Sequence, residues 1–80
     1  MAVVRIQVVI SGQVQGVGFR LAARRKMGEL GISGGVENLA DGRVEAVFAG
    51  KAEKVREMVE WCQEGPPLAK VSRVEVVTKP

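Results

Sequence analysis

The stretch Gln15-Gly16-Val17-Gly18-Phe19-Arg20 holds the residue types best suited to chemistry in this chain. Gly16 and Gly18 let the backbone curl so that successive N–H groups can turn inward, forming a nest for an anion. Arg20 adds a planar fork able to grip two oxygens of a phosphate at once. A helix starting here would contribute unpaired N–H groups and the positive end of its dipole. The run lacks the Gly-Lys-Ser/Thr ending that holds a nucleotide and magnesium, so no nucleotide is implied. The plainer reading of the same residues is a glycine turn followed by a solvated arginine, and spacing alone leaves both open.

Composition narrows the chemistry. The 80 residues include no histidine and a single cysteine, Cys62. Ser-His, Cys-His and histidine-metal mechanisms are therefore excluded, as are an intrachain disulfide and a cysteine-built zinc site. No metal site is expected. The net charge of +3 suits anionic partners but is too small to call for nucleic acid. No apolar run approaches the roughly 18–20 residues needed to cross a bilayer. The first ten residues carry Arg5 and Gln7 without a signal-peptide cleavage pattern, and the expectation is a soluble, cytoplasmic protein. The length fits a single domain over residues 1–80.

Periodicity indicates the elements that must position the loop. Val4, Ile6, Val8 and Ile10 alternate as one apolar face of a strand, ending in a glycine-rich loop over Ser11–Gly18. A helix fits Phe19–Leu30, with Phe19, Ala23, Met27 and Leu30 on one stripe and Gly31 as a left-handed cap. Gly34–Leu39 and Arg43–Ala49 read as strands joined through Ala40, Asp41 and Gly42, because Asp-Gly favours a hairpin turn. Gly50 and Lys51 lead into a helix over Ala52–Gln63, whose stripe is Val55, Met58, Val59 and Cys62. Gly65-Pro66-Pro67 stops it, and Val71–Thr78 closes as a strand with Val74 and Val76 on one face.

The order β-α-β-β-α-β predicts an α+β, ferredoxin-like two-layer sandwich: an antiparallel sheet in the order 4-1-3-2 with two helices on one face. Cys62 reads as a small core residue and Trp61 as packed at the margin. Glu45 and Asp41 read as a solvated strand residue and a turn residue. Arg24, Arg25 and Lys26 read as a solvated helix face, with steering of anions as the alternative. This architecture hosts many activities and decides none of them.

The residues also carry a family resemblance. The run from Gly12 to Arg20 closely resembles the acylphosphatase signature Gly-x-Val-Gln-Gly-Val-x-Phe-Arg. The run from Gly34 to Val44 is similar to that family's second signature, in which Asn38 is the functional position. Gly65-Pro66-Pro67-Leu68-Ala69-Lys70-Val71 looks like its connection into the fourth strand. The resemblance covers nearly the whole chain, in order. It implies hydrolysis of the carboxyl–phosphate bond of a small-molecule acyl phosphate. Arg20 and the Gln15–Arg20 backbone amides would hold the phosphate, and Asn38 would position the attacking water. No cofactor, metal or covalent intermediate is required, because an acyl phosphate is an activated anhydride whose loose transition state asks little of the nucleophile. Phosphate or sulfate is expected in the loop, and neither a nucleic-acid nor a membrane partner is expected.

The sequence departs from the family at three places. Gly35 stands where an aromatic residue is usual, which predicts a second strand looser by about 1–2 kcal/mol. Glu37 stands where a basic residue is common. A charge about 10 Å from the phosphate, at an effective dielectric near 20, would oppose binding by roughly 1–2 kcal/mol. The chain stops at Pro80, before the family's short fifth strand, so the expected monomer has an edge-strand dimer as its alternative. Two rival functions stand beside hydrolysis. One is a non-catalytic phosphate-binding module of the same fold. The other is an RNA-binding domain, which would need aromatics on the open sheet face, whereas Phe48 is expected in the core.

Overall fold

The alternating first segment forms β1 (Val3–Gln13) in the computed structural model, which describes residues 2–77. It is followed by α1 (Phe19–Leu30), β2 (Ser33–Asn38), β3 (Val44–Lys51), α2 (Ala52–Cys62) and β4 (Lys70–Val76). The sheet order is β2-β3-β1-β4 with every pairing antiparallel, which is the expected topology read from its other edge. The two helices pack against the sheet and each other, α1 chiefly over β2 and α2 over β1, β3 and β4. The architecture is the α+β ferredoxin-like sandwich that the element order requires.

Period-2 geometry sends alternate residues of the central strands under the helices. Val8 and Ile10 of β1 and Val44, Ala46 and Phe48 of β3 are buried there, against Phe19, Ala23 and Met27 of α1 and Val55, Met58 and Cys62 of α2. Phe48 is 0% exposed, so it cannot serve as a base-stacking platform and the RNA-binding reading loses its one aromatic. Cys62 is fully buried, and burial pushes its thiol pKa up to about 12, which keeps it protonated and unreactive.

The elements depart from their expected limits in physically informative ways. β1 does not end at Ile10 but runs on to Gln13, pairing with β4 across a register shift between Ser11 and Gly12. Gly12 sits at φ 118°, and a Cβ there would lie 2.2 Å from the Lys70 carbonyl oxygen. The glycine is thus a bulge residue of the sheet, not part of the loop. Val14, expected in that loop, is a core residue at 1% exposure. Lys51 is both the last residue of β3 and the cap of α2, so no connecting loop follows Gly50. In β4, Val74 is half-buried but Val76 is exposed at the sheet margin, and the expected end at Thr78 lies outside the described residues.

Candidate active site

Shortening the loop to Val14–Gly18 places its glycines directly against the start of α1. Gly16 and Gly18 both adopt left-handed backbone, φ 75° and 80°, with Gly18 forming the helix cap. Alternation of such residues with ordinary ones curls the amides toward one side. The first hydrogen bond of the helix runs from the Ala22 N–H to the Gly18 carbonyl at 3.0 Å. The amides of Phe19, Arg20 and Leu21 therefore precede the helical ladder. No side chain caps this end, and no acidic residue lies in the first turn. The positive end of the helix dipole is left for an outside anion.

Phe19 fixes this end of the helix to the body. Its ring is buried and lies 5.5 Å from the Trp61 ring, centroid to centroid, at a 55° tilt. Gly65 presses against the same ring: a Cβ there would stand 2.7 Å from Cε2 of Phe19. Trp61 is half-buried, as its expected marginal position requires.

Arg20, one residue on, is exposed, and so is Asn38, the last residue of β2. Together with Val14, Gln15, Gly16, Gly18, Phe19 and Leu21 they line one hollow of about 200 Å³. Two residues far apart in the chain, carried by different elements, thus face one space. Among the described residues, no hydrogen bond or ion pair engages the side chain of either. Arg20 is the only charged side chain in the lining, so the hollow is electropositive with hydrogen-bond donors around it. A larger depression of about 340 Å³ lies between α1 and the turn after α2, bounded by Arg25, Lys26, Glu29 and Trp61. It contains none of the loop amides.

Sequence reasoning missed what holds the two halves together. The Gln15 side-chain amide donates to the Leu39 carbonyl at 2.8 Å and to the Arg43 carbonyl at 2.9 Å. These are the same two residues that close the β2–β3 turn, where the Leu39 N–H donates to the Arg43 carbonyl at 2.8 Å. Gln15 therefore straps the loop to the hairpin that carries Asn38. The turn is further set by Asp41, whose carboxylate accepts from the Arg43 backbone N–H at 3.1 Å and its Nε at 2.8 Å. The backbone donor first, and the guanidinium beside it, hold the Asp41 carboxyl below its ordinary value.

Arg24 is likewise not merely a solvated residue. Its Nη2 donates to the Val36 carbonyl at 3.2 Å, tying α1 to β2 two residues before Asn38. Lys26 pairs with Glu29 across one helical turn at 3.6 Å. Glu37, by contrast, alternates with Val36 and Asn38 and stands opposite Glu45, which accepts a 2.6 Å hydrogen bond from Gln7. It belongs to the other side of the sheet, in a separate depression with Gly35, Glu45 and Val47. Among the described residues no group of three or more His, Cys, Asp or Glu converges to hold a metal, and no helix is long and apolar enough to cross a membrane.

These features define a class: a ferredoxin-like sandwich whose first strand–helix loop is open to an anion. Similarity to known proteins narrows it further. A profile of the Acylphosphatase family matches residues 6–80. The acylphosphatase of Rubrobacter xylanophilus is 57% identical over 76 residues, covering 95% of this chain and 69% of that protein. Among solved structures, the acylphosphatase of Bacillus subtilis superposes with a TM-score of 0.90 at 32% identity, covering 95% of this chain and 83% of that one. The acylphosphatase of Coxiella burnetii superposes at 0.88 with 44% identity, covering 95% and 82%. The chain belongs to the acylphosphatase family of hydrolases.

Proposed function

We propose that this chain hydrolyses the carboxyl–phosphate bond of acyl phosphates, with Arg20 and the amides of the Gln15–Arg20 loop binding the phosphoryl group and Asn38 holding the attacking water. The observation that carries the reading is the single hollow into which the α1 N-terminus, Arg20 and Asn38 all open. Charge on a phosphoryl group shifts among its oxygens during transfer, and donors fixed in advance stabilise it without reorganising. Asn38 can accept a hydrogen bond from water through its carbonyl oxygen and donate one through its amide, which fixes an in-line approach. Water attacks phosphorus, the P–O bond to the carboxylate breaks, and the proton passes to a phosphate oxygen. Orientation and charge stabilisation suffice, so neither a metal nor a covalent intermediate is invoked.

The test is hydrolysis of acetyl phosphate by the wild type, Arg20→Ala and Asn38→Ala, with inorganic phosphate as a competitive inhibitor. Each variant should lose at least about 10² in rate while remaining folded, since one such donor is worth roughly 10²–10³. Only Arg20→Ala should also weaken inhibition by phosphate. A variant that keeps the wild-type rate removes that residue from the mechanism. Phosphate binding by a wild type that does not hydrolyse acetyl phosphate would instead make this a non-catalytic phosphate-binding module.

A further inference from the structure

We infer that Arg24 is a positioning residue for the hydrolysis: by holding β2 against α1, it sets where Asn38 stands relative to Arg20. The inference rests on the roles proposed above for Arg20 and Asn38. Arg24 follows Arg20 by four residues on α1, so the two side chains leave one face of the helix, about 6 Å apart along its axis. Val36 precedes Asn38 by two residues on β2, which puts both on one face of the sheet, about 6.7 Å apart. The step along the helix and the step along the strand are nearly equal. The bond from Arg24 Nη2 to the Val36 carbonyl, at 3.2 Å, thus crosses from α1 to β2 one step behind the hollow that Arg20 and Asn38 line.

The strand has little else to hold it to the helix layer. β2 pairs with β3 along one edge and, among the described residues, has no strand on the other. Val36 is its one buried residue, while Gly34 and Gly35 bring no side chain to the helices. Arg24 grips the carbonyl of that same residue. The Gln15 strap acts from the other direction, on the turn that begins at Leu39. Asn38 therefore stands between two held points, Val36 and Leu39. A water on Asn38 must lie in line with the breaking bond, and a misplacement of about 1 Å can cost about 10² in rate. Charge alone does not single Arg24 out. The adjacent Arg25 carries the same charge but, among the described residues, makes no bond to β2 and borders the depression beside Trp61.

The experiment measures kcat for acetyl phosphate, and inhibition by inorganic phosphate, in the wild type, Arg24→Ala, Arg24→Lys, Arg25→Ala, Asn38→Ala and the double variant of Arg24→Ala with Asn38→Ala. Arg24 is exposed and alanine is a strong helix former, so the fold should survive each change at this position. Arg24→Ala should lower kcat about tenfold and leave phosphate inhibition within about twofold, because Arg20 and the loop amides stay in place. Arg24→Lys keeps a donor on a long stem and should return kcat to within about threefold of wild type. Arg25→Ala removes an equal charge and should leave kcat within about twofold. In the Asn38→Ala background, removing Arg24 should change kcat by less than about twofold, since the residue it positions is gone. The same fall with and without Asn38, or no fall in Arg24→Ala, would overturn the inference while leaving Arg20 and Asn38 in their roles. An equal fall in Arg25→Ala would overturn it too, by making charge the cause. If Asn38→Ala keeps the wild-type rate, the role of Asn38 falls and that of Arg24 with it.

Discussion

The Gln15 side chain directly links two segments that lie far apart in the chain. One is the loop over Val14–Gly18, the other the turn after Asn38, and the strap consists of two hydrogen bonds from one amide. Gln15→Ala leaves two carbonyl oxygens without that donor, one of them partly buried, at a cost of about 1–2 kcal/mol. It should also lower kcat more than it weakens inhibition by inorganic phosphate, because Arg20 and the loop amides remain while Asn38 loses its tether. Equal losses in both measurements would mean that Gln15 serves the loop alone. Single residues divide sharply in how readable they were. Arg20 and Asn38 stand in recognisable motifs, and the hollow they share follows from the topology those motifs sit in. The Gln15 strap was not legible, because its acceptors are main-chain atoms 24 and 28 positions away, which no local spacing records.

Two adjacent glycines of β2 make opposite predictions at the level of the element. Gly34 has φ +134°, and a Cβ there would stand 1.8 Å from the Val47 carbonyl oxygen. Gly34→Ala should destabilise the fold by about 3 kcal/mol or more, combining backbone strain with a main-chain clash. Gly35, where the family commonly has an aromatic residue, has ordinary backbone, and a Cβ there would meet nothing within 4 Å. Gly35→Val should therefore raise stability by up to about 1 kcal/mol, through strand preference and a less flexible unfolded chain. Chemical denaturation of the two variants checks both signs. Helix limits were legible because Gly31 ends α1 with the expected left-handed cap, at φ 67°. Strand limits were less so. Gly12 looked like the start of a loop, yet its lack of a side chain is what allows β4 to approach and pairing to continue. A glycine in a pattern marks a special backbone, and only the neighbouring strand decides whether that backbone is a turn or a bulge.

Across the whole molecule, charge sets the long-range field felt by an incoming anion. The chain carries a net +3, and Glu37 works against it from the far side of the sheet, opposite another acid, Glu45. Glu37→Arg moves the net charge from +3 to +5, the loss of one negative and the gain of one positive charge. It should lower KM for acetyl phosphate at low ionic strength with little effect on kcat. The gain should fade as salt shortens the screening length to about 8 Å near 0.15 M. A KM that stays the same at every ionic strength would remove Glu37 from any part in binding. It should also ease the like-charge pairing across β2 and β3.

The bond from Arg24 to the Val36 carbonyl reaches beyond the site. Among the described residues β2 is a border strand, and a border strand with a complete row of free acceptors invites a stray chain to zip onto it. Here a guanidinium from the neighbouring helix occupies one rung of that row near its middle. A would-be intruder must first displace it, so the contact that ties α1 to β2 also obstructs pairing along that edge.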